Sequence, residues 1–214
     1  MLPNYTRGEE SFNTISHSVG AVLGVAALVL CIVRSYFHHD VWAMAGSVVY
    51  GISLILLYTM SSVYHGIKKP MPKKVMQVID HCTIYMLIAG SYMPILLCSI
   101  RKISPLWCWG IFSFVWGLAA IAVVFTAIDL KKYAKFSMAC YIGLGWCIVV
   151  AIKPTLEALP AAAFIWLLAG GIAYTVGSVL YGLGKKHKYM HSIFHVFVLA
   201  GSLLQFIAIF FYVI

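Results

Sequence analysis

His191 and His195 stand four residues apart in an apolar run, His191-Ser192-Ile193-Phe194-His195. On a helix this spacing puts both imidazoles on one face, with Cβ atoms about 6 Å apart. Such a pair suits an ion like zinc, whose bonds to histidine nitrogen are about 2.0–2.1 Å long. Ser61 and His65 repeat the spacing in a second apolar run, and Asp80 interrupts a third. Three imidazoles and a carboxylate make either a full tetrahedral set or three ligands with an open position for water. Charge balance favours the open position. Asp80 offsets one charge of a divalent ion, and ionisation of a bound water offsets the other. Asp80 either ligates the metal or holds that water as a base, and the spacing leaves both arrangements open. Zinc is preferred to copper because no Met or Cys falls on these faces at ligand spacing.

A histidine pair on one apolar helix is a weak signal, because each ring can simply bond to a neighbouring helix. The depth of the residues strengthens it. The chain has 214 residues, 63% hydrophobic and 10% charged, with mean hydropathy +0.95. Soluble domains carry about 25% charged residues, so this surface faces lipid. A soluble enzyme and a disordered chain are both excluded. Apolar runs between charged breaks predict seven spans, at roughly 14–36, 41–64, 75–98, 106–128, 136–153, 160–183 and 191–214. They do not alternate in polarity as the strands of a membrane barrel do. The expected fold is an all-α membrane protein, a seven-transmembrane helix bundle forming a single domain over residues 1–214. The segment Met1–Phe12 lacks the basic start and short apolar core of a cleaved signal, so the first span is expected to stay.

The cations set the expected orientation. Eleven of the fifteen Lys and Arg residues flank the side carrying the N-terminus, including Arg7, Lys68, Lys69, Lys73, Lys74, Lys185, Lys186 and Lys188. The other side has Arg34, Arg101, Lys102 and Lys153. The positive-inside rule places the N-terminus in the cytoplasm and the C-terminus outside, in a cytoplasmic (inner) membrane. These loop clusters offer no basic face to nucleic acid. His65, Asp80, His191 and His195 then all lie near the inner ends of three different spans, where ionisable groups need partners or a wet cavity.

Other polar positions have simpler readings. Glu10, Asn13 and His17 lie on one face at the entry to the first span and are read as capping and interhelical bonding groups. His81 points away from Asp80 around the helix and is not counted as a ligand. Gly20 and Gly24 permit close helix approach. Pro94 should kink the third span and free a carbonyl. Asp129 is expected to pair with Lys131 and Lys132 at the interface. Cys31, Cys82, Cys98, Cys108, Cys140 and Cys147 lie in apolar runs and suggest no disulfide framework.

Taken in order, these motifs resemble the bacterial hemolysin III family, within the progestin-and-adiponectin-receptor (PAQR) superfamily and its alkaline-ceramidase-like relatives. The matching stretches are Glu10-x-x-Asn13-x-x-x-His17, Ser61-x-x-x-His65, Asp80-His81 leading into Ile88-Ala89-Gly90-Ser91-Tyr92-Met93-Pro94, Tyr174-Thr175-Val176-Gly177, and His191-x-x-x-His195 with the residues after it. Gln205 departs from the pattern, where many bacterial relatives carry histidine. The resemblance implies seven spans, a cytoplasmic N-terminus and zinc near the inner leaflet on His65, His191 and His195, with Asp80 on the metal or reaching it through water and Ser61 as a polarising hydroxyl. Its relatives include lipid amidases, lipid-responsive receptors and proteins of membrane-lipid homeostasis.

The expected function is a zinc-dependent amide or ester hydrolase acting on membrane lipid at the inner leaflet, with Asp80 moving the proton and Ser61 polarising the carbonyl. The alternatives are a non-catalytic sensor or regulator of membrane-lipid homeostasis with a structural zinc and, with less support, a pore-forming hemolysin.

Overall fold

The computed structural model describes residues 2–183 and 187–214. Lys185 and Lys186, two of the cations used for orientation, lie outside the described residues. Among the described residues, seven helices are long and apolar enough to cross a membrane: α1 Arg7–Phe37, α2 Val41–Gly66, α3 Pro70–Ile103, α4 Pro105–Ile128, α5 Ala134–Ala158, α6 Ala161–Leu183 and α7 Met190–Val213. No strand occurs among the described residues. A multi-pass membrane protein follows from this set of helices.

Local chemistry fixes the helix starts. α1 begins several residues before the apolar run because Thr6 and Glu9 form a capping box: Glu9 N donates to Thr6 Oγ1 at 3.2 Å and Thr6 N donates to Glu9 Oε2 at 2.8 Å. Asp40 caps α2 by accepting from Trp42 N and Ala43 N. Pro70 and Pro105 open α3 and α4, where a missing N–H costs nothing. Asp129 accepts from Lys131 N and Lys132 N, so backbone capping replaces the expected ion pair with the lysine ammoniums.

Three spans are irregular, α3, α5 and α7, the last ending in a π-helical stretch over Ile209–Val213. Pro94 ends the regular part of α3 and a π-helical stretch follows over Ile95–Ile100, which absorbs the hydrogen-bond mismatch that proline creates. α5 is α-helical over Ala134–Trp146, passes through a 3₁₀ stretch, Cys147–Ala151, and resumes as α-helix over Ile152–Ala158. The Tyr92 hydroxyl sits at that break, donating towards the Leu144 and Gly145 carbonyls and accepting from Ile148 N.

α3 is the central helix, the most enclosed of the seven. Tyr85, Ala89, Leu96 and Ile100 of α3 form one core with Val115, Ala119 and Ala122 of α4 and Leu144 of α5. Tyr50, Leu54, Leu57 and Tyr58 of α2 form a second with Leu87 and Val198. α1 packs directly on α2 at Gly20, where a Cβ would lie 2.5 Å from Tyr58 Cδ1. All six cysteines are free.

Candidate metal centre

The ends of α2 and α7 that share a level with the start of α1 bring three histidines together. His65 and His195 are buried and His191 is partly buried. Ligand atoms from the three lie within 4.8 Å of one another. His191 Nε2 is 3.1 Å from His65 Nε2 and 3.0 Å from His195 Nε2. Two nitrogens bound to one tetrahedral zinc at about 2.0–2.1 Å would stand about 3.3 Å apart. The spacing is therefore close to that of a tripod about one ion.

Proton placement supports the same geometry. His65 Nδ1 lies 2.6 Å from Glu10 Oε2. An ionised carboxylate only accepts, so Nδ1 carries the proton and Nε2 presents its lone pair to the cluster. A proton on His191 Nε2 cannot point along both short contacts at once. The donor set, neutral imidazole nitrogens in a buried site with one oriented by a carboxylate, fits a metal ion.

Glu10 is held in turn. Its Oε1 lies 2.8 Å from Lys73 Nζ, which also donates to the Tyr64 and Ile67 carbonyls, each at 3.1 Å, at the end of α2. Lys73 thus neutralises Glu10 and satisfies the C-terminal carbonyls of the helix that carries His65. In the sequence Lys73 is one of four lysines around a turn and nothing marks it. Glu10 is the interhelical bonding group expected from its stripe, and its partner is a histidine of the cluster.

Asp80 and Ser61 are buried and line the same cavity as His191 and His195, but Asp80 is not one of the three converging groups. Asp80 Oδ2 lies 3.7 Å from His81 Nδ1. That His81 nitrogen donates to the Gln77 carbonyl at 2.8 Å, one turn back on its own helix. His17 lines the cavity too, stacked on His195 with ring centroids 3.6 Å apart.

The cavity holds about 210 Å³. It runs from the Ser61, Asp80 and His195 end along α3 to Ile95, and its far wall is made by α5 and α6. Apart from the polar end, its walls are mostly Leu, Ile, Val, Phe and Tyr side chains. Gln205 also lines it.

A family profile described as "Haemolysin-III related" matches residues 5–206, nearly the whole chain. The chain belongs to this family. It is 41% identical to the "Hemolysin-3" of Bacillus cereus, over 96% of this chain and 92% of that protein. To the "Hemolysin-3 homolog" of Bacillus subtilis (strain 168) it is 35% identical, over 97% and 96% of the two chains. It is also similar to the human "Monocyte to macrophage differentiation factor", 26% identical over 94% of this chain and 83% of that protein. No solved structure matches it. Among family members, then, this chain is one whose three histidines meet in space and could hold a metal ion.

Proposed function

We propose that this family member binds zinc on His65, His191 and His195 and hydrolyses an amide or ester bond of a membrane lipid. The observation that carries the reading is a cavity with Asp80, Ser61 and two histidines of the cluster, His191 and His195, at one end and apolar walls beyond. A lipid needs that arrangement, with its carbonyl at the polar end and its acyl chain along the walls. The distribution of cations supports a cytoplasmic N-terminus, and on that reading the polar end lies at the inner leaflet of the cytoplasmic membrane.

Zinc in such a site supplies a Lewis acid for the carbonyl and lowers the pKa of water. The protein's part follows from its side chains. Asp80, on α3 at the cavity wall, takes the proton released by the attacking water and returns it to the leaving group. The Ser61 hydroxyl, one turn before His65, donates to the oxygen on which charge develops. The apolar walls exclude bulk water and so strengthen both interactions.

Purified chain is incubated with a panel of amide- and ester-linked lipids, and released fatty acid is measured. The expected result is release by wild type and at least about a hundredfold less with Asp80→Ala. No release by wild type from any lipid would overturn the catalytic reading.

One observation favours a second reading. The cluster joins α2 to α7, so a bound ion would staple these two helices without doing chemistry. A non-catalytic sensor or regulator of lipid homeostasis would use it so. In that case Asp80→Ala keeps full function, whereas His191→Ala loses the stabilisation that metal gives. The mostly apolar cavity walls give no support to a pore-forming role.

A further inference from the structure

A ligand imidazole must have the right nitrogen deprotonated and its ring held in the right plane. Rotation about the terminal torsion is broad, so an unsupported ring samples many planes. In this protein each histidine of the cluster meets a different side chain of the N-terminal segment. Glu10 accepts from His65 Nδ1. The Tyr5 ring stacks on His191, with centroids 5.0 Å apart and planes 16° from parallel. The His17 ring stacks on His195 at 3.6 Å, also at 16°. We propose that the segment from Tyr5 to His17 is the positioning element of the cluster, supplying one bracing side chain to each of its three histidines. The proposal rests on the metal-binding reading above and extends it to residues outside the ligand set.

The segment is fixed well enough to do this. The Tyr189 backbone N–H, which precedes α7, donates to Glu9 Oε1 at 2.7 Å, and the Thr6 backbone N–H donates to the other oxygen of that carboxylate. This one side chain therefore sets the lead-in of α1 against the start of the helix carrying His191 and His195. On the α2 side, Ser62 Oγ bonds Ser18 Oγ at 2.7 Å and donates to the Thr14 carbonyl. His17 is steadied from behind by the Tyr58 ring, edge-on at 5.0 Å, and the Tyr58 hydroxyl donates to Ser202 Oγ on α7 at 2.6 Å. The bracing side chains are thus registered against both helices that carry the cluster.

The test uses the full chain purified in detergent. Zinc affinity is measured by competition with a chromogenic chelator, and the absorption spectrum of the cobalt-loaded protein reports the geometry of the ligands. Glu10→Gln is expected to weaken zinc binding about 10- to 100-fold, as is typical for loss of a carboxylate that orients a ligand histidine. Tyr5→Ala should weaken it about 2- to 10-fold, whereas Tyr5→Phe, which keeps the ring, stays within about twofold of wild type. His17→Ala and His17→Phe should differ in the same sense. The cobalt spectrum should shift in Glu10→Gln, Tyr5→Ala and His17→Ala. A merely structural role would instead lower the melting temperature of the metal-free protein and leave affinity and spectrum unchanged. Tyr5 precedes the first helix, so its two variants decide the matter even if Glu10→Gln does not fold. Equal affinities and spectra for wild type, Tyr5→Ala and Tyr5→Phe would overturn the proposal. If wild type takes up neither zinc nor cobalt, the metal reading itself has failed, a result distinct from equal binding by all variants.

Discussion

The seam between α1 and α2 and the seam between α5 and α6 both use small residues, but they pack in opposite ways. At Gly51 of α2, an added Cβ would lie 2.6 Å from Leu28 Cβ and 2.8 Å from Leu28 Cα. The two backbones are as close as glycine allows. Hydroxyl pairs cross the same seam, Ser18 to Ser62 near the histidine cluster and Ser35 to Ser47 at the other end. At Gly171 of α6, by contrast, an added Cβ would come no nearer than 3.8 Å to the Trp146 ring of α5. The contact between α5 and α6 is slight, with a hydrogen bond from Trp146 Nε1 to Thr175 Oγ1 at 2.9 Å. The tight seam aligns the histidine cluster with the residues that support it, and the loose one leaves room for a cavity. Glycine has a different meaning in each place: close approach in the first, little side-chain volume in the second.

That contrast can be broken by single substitutions read as thermal unfolding in detergent. The largest effect is expected at Gly51→Ala, which must push α1 away from α2 and should destabilise by about 1–3 kcal/mol. Because the movement also shifts Glu10 and His17, zinc affinity should fall with it. At Gly171→Ala the sign reverses: with only an ordinary contact to Trp146 to make, the better helix propensity of alanine should stabilise by up to about 1 kcal/mol. Finding both substitutions destabilising to the same degree would remove the distinction between the seams. The smallest effect belongs to Trp146→Phe. Loss of its bond to Thr175 should cost about 0.6 kcal/mol, the usual value for a side-chain bond between helices in a membrane. A much larger loss would mean that the α5–α6 seam carries structural weight that its packing does not reveal.

Much of the frame is legible in the sequence because lipid imposes it. Seven apolar runs have to become helices that satisfy their own backbone, and Gly20 beside Gly24 marks the tight seam. The i, i+4 spacings of Ser61 with His65 and of His191 with His195 survive into the structure because helices enforce them. Features that depend on where one helix lies against another are less visible. Tyr5 precedes the first helix and has no periodicity to mark it, yet its ring lies on His191. Lys73 is hidden among four lysines around one turn, where nothing in the sequence singles it out. Glu9 and Glu10 are neighbours in the sequence but divide their work, one fixing the chain at Tyr189 and the other reaching His65. The break in α5 has no proline or charge at Trp146 to announce it; it is recognisable only once the Tyr92 hydroxyl is seen among its carbonyls.

The central claim is that side chains from the second and last spans hold one divalent ion together. The most direct measurement is metal content by mass spectrometry on chain purified from zinc-replete cells, wild type beside His191→Ala. The account predicts about one equivalent of zinc in wild type and almost none in the variant. Metal-free wild type, or equal metal in both proteins, would contradict it.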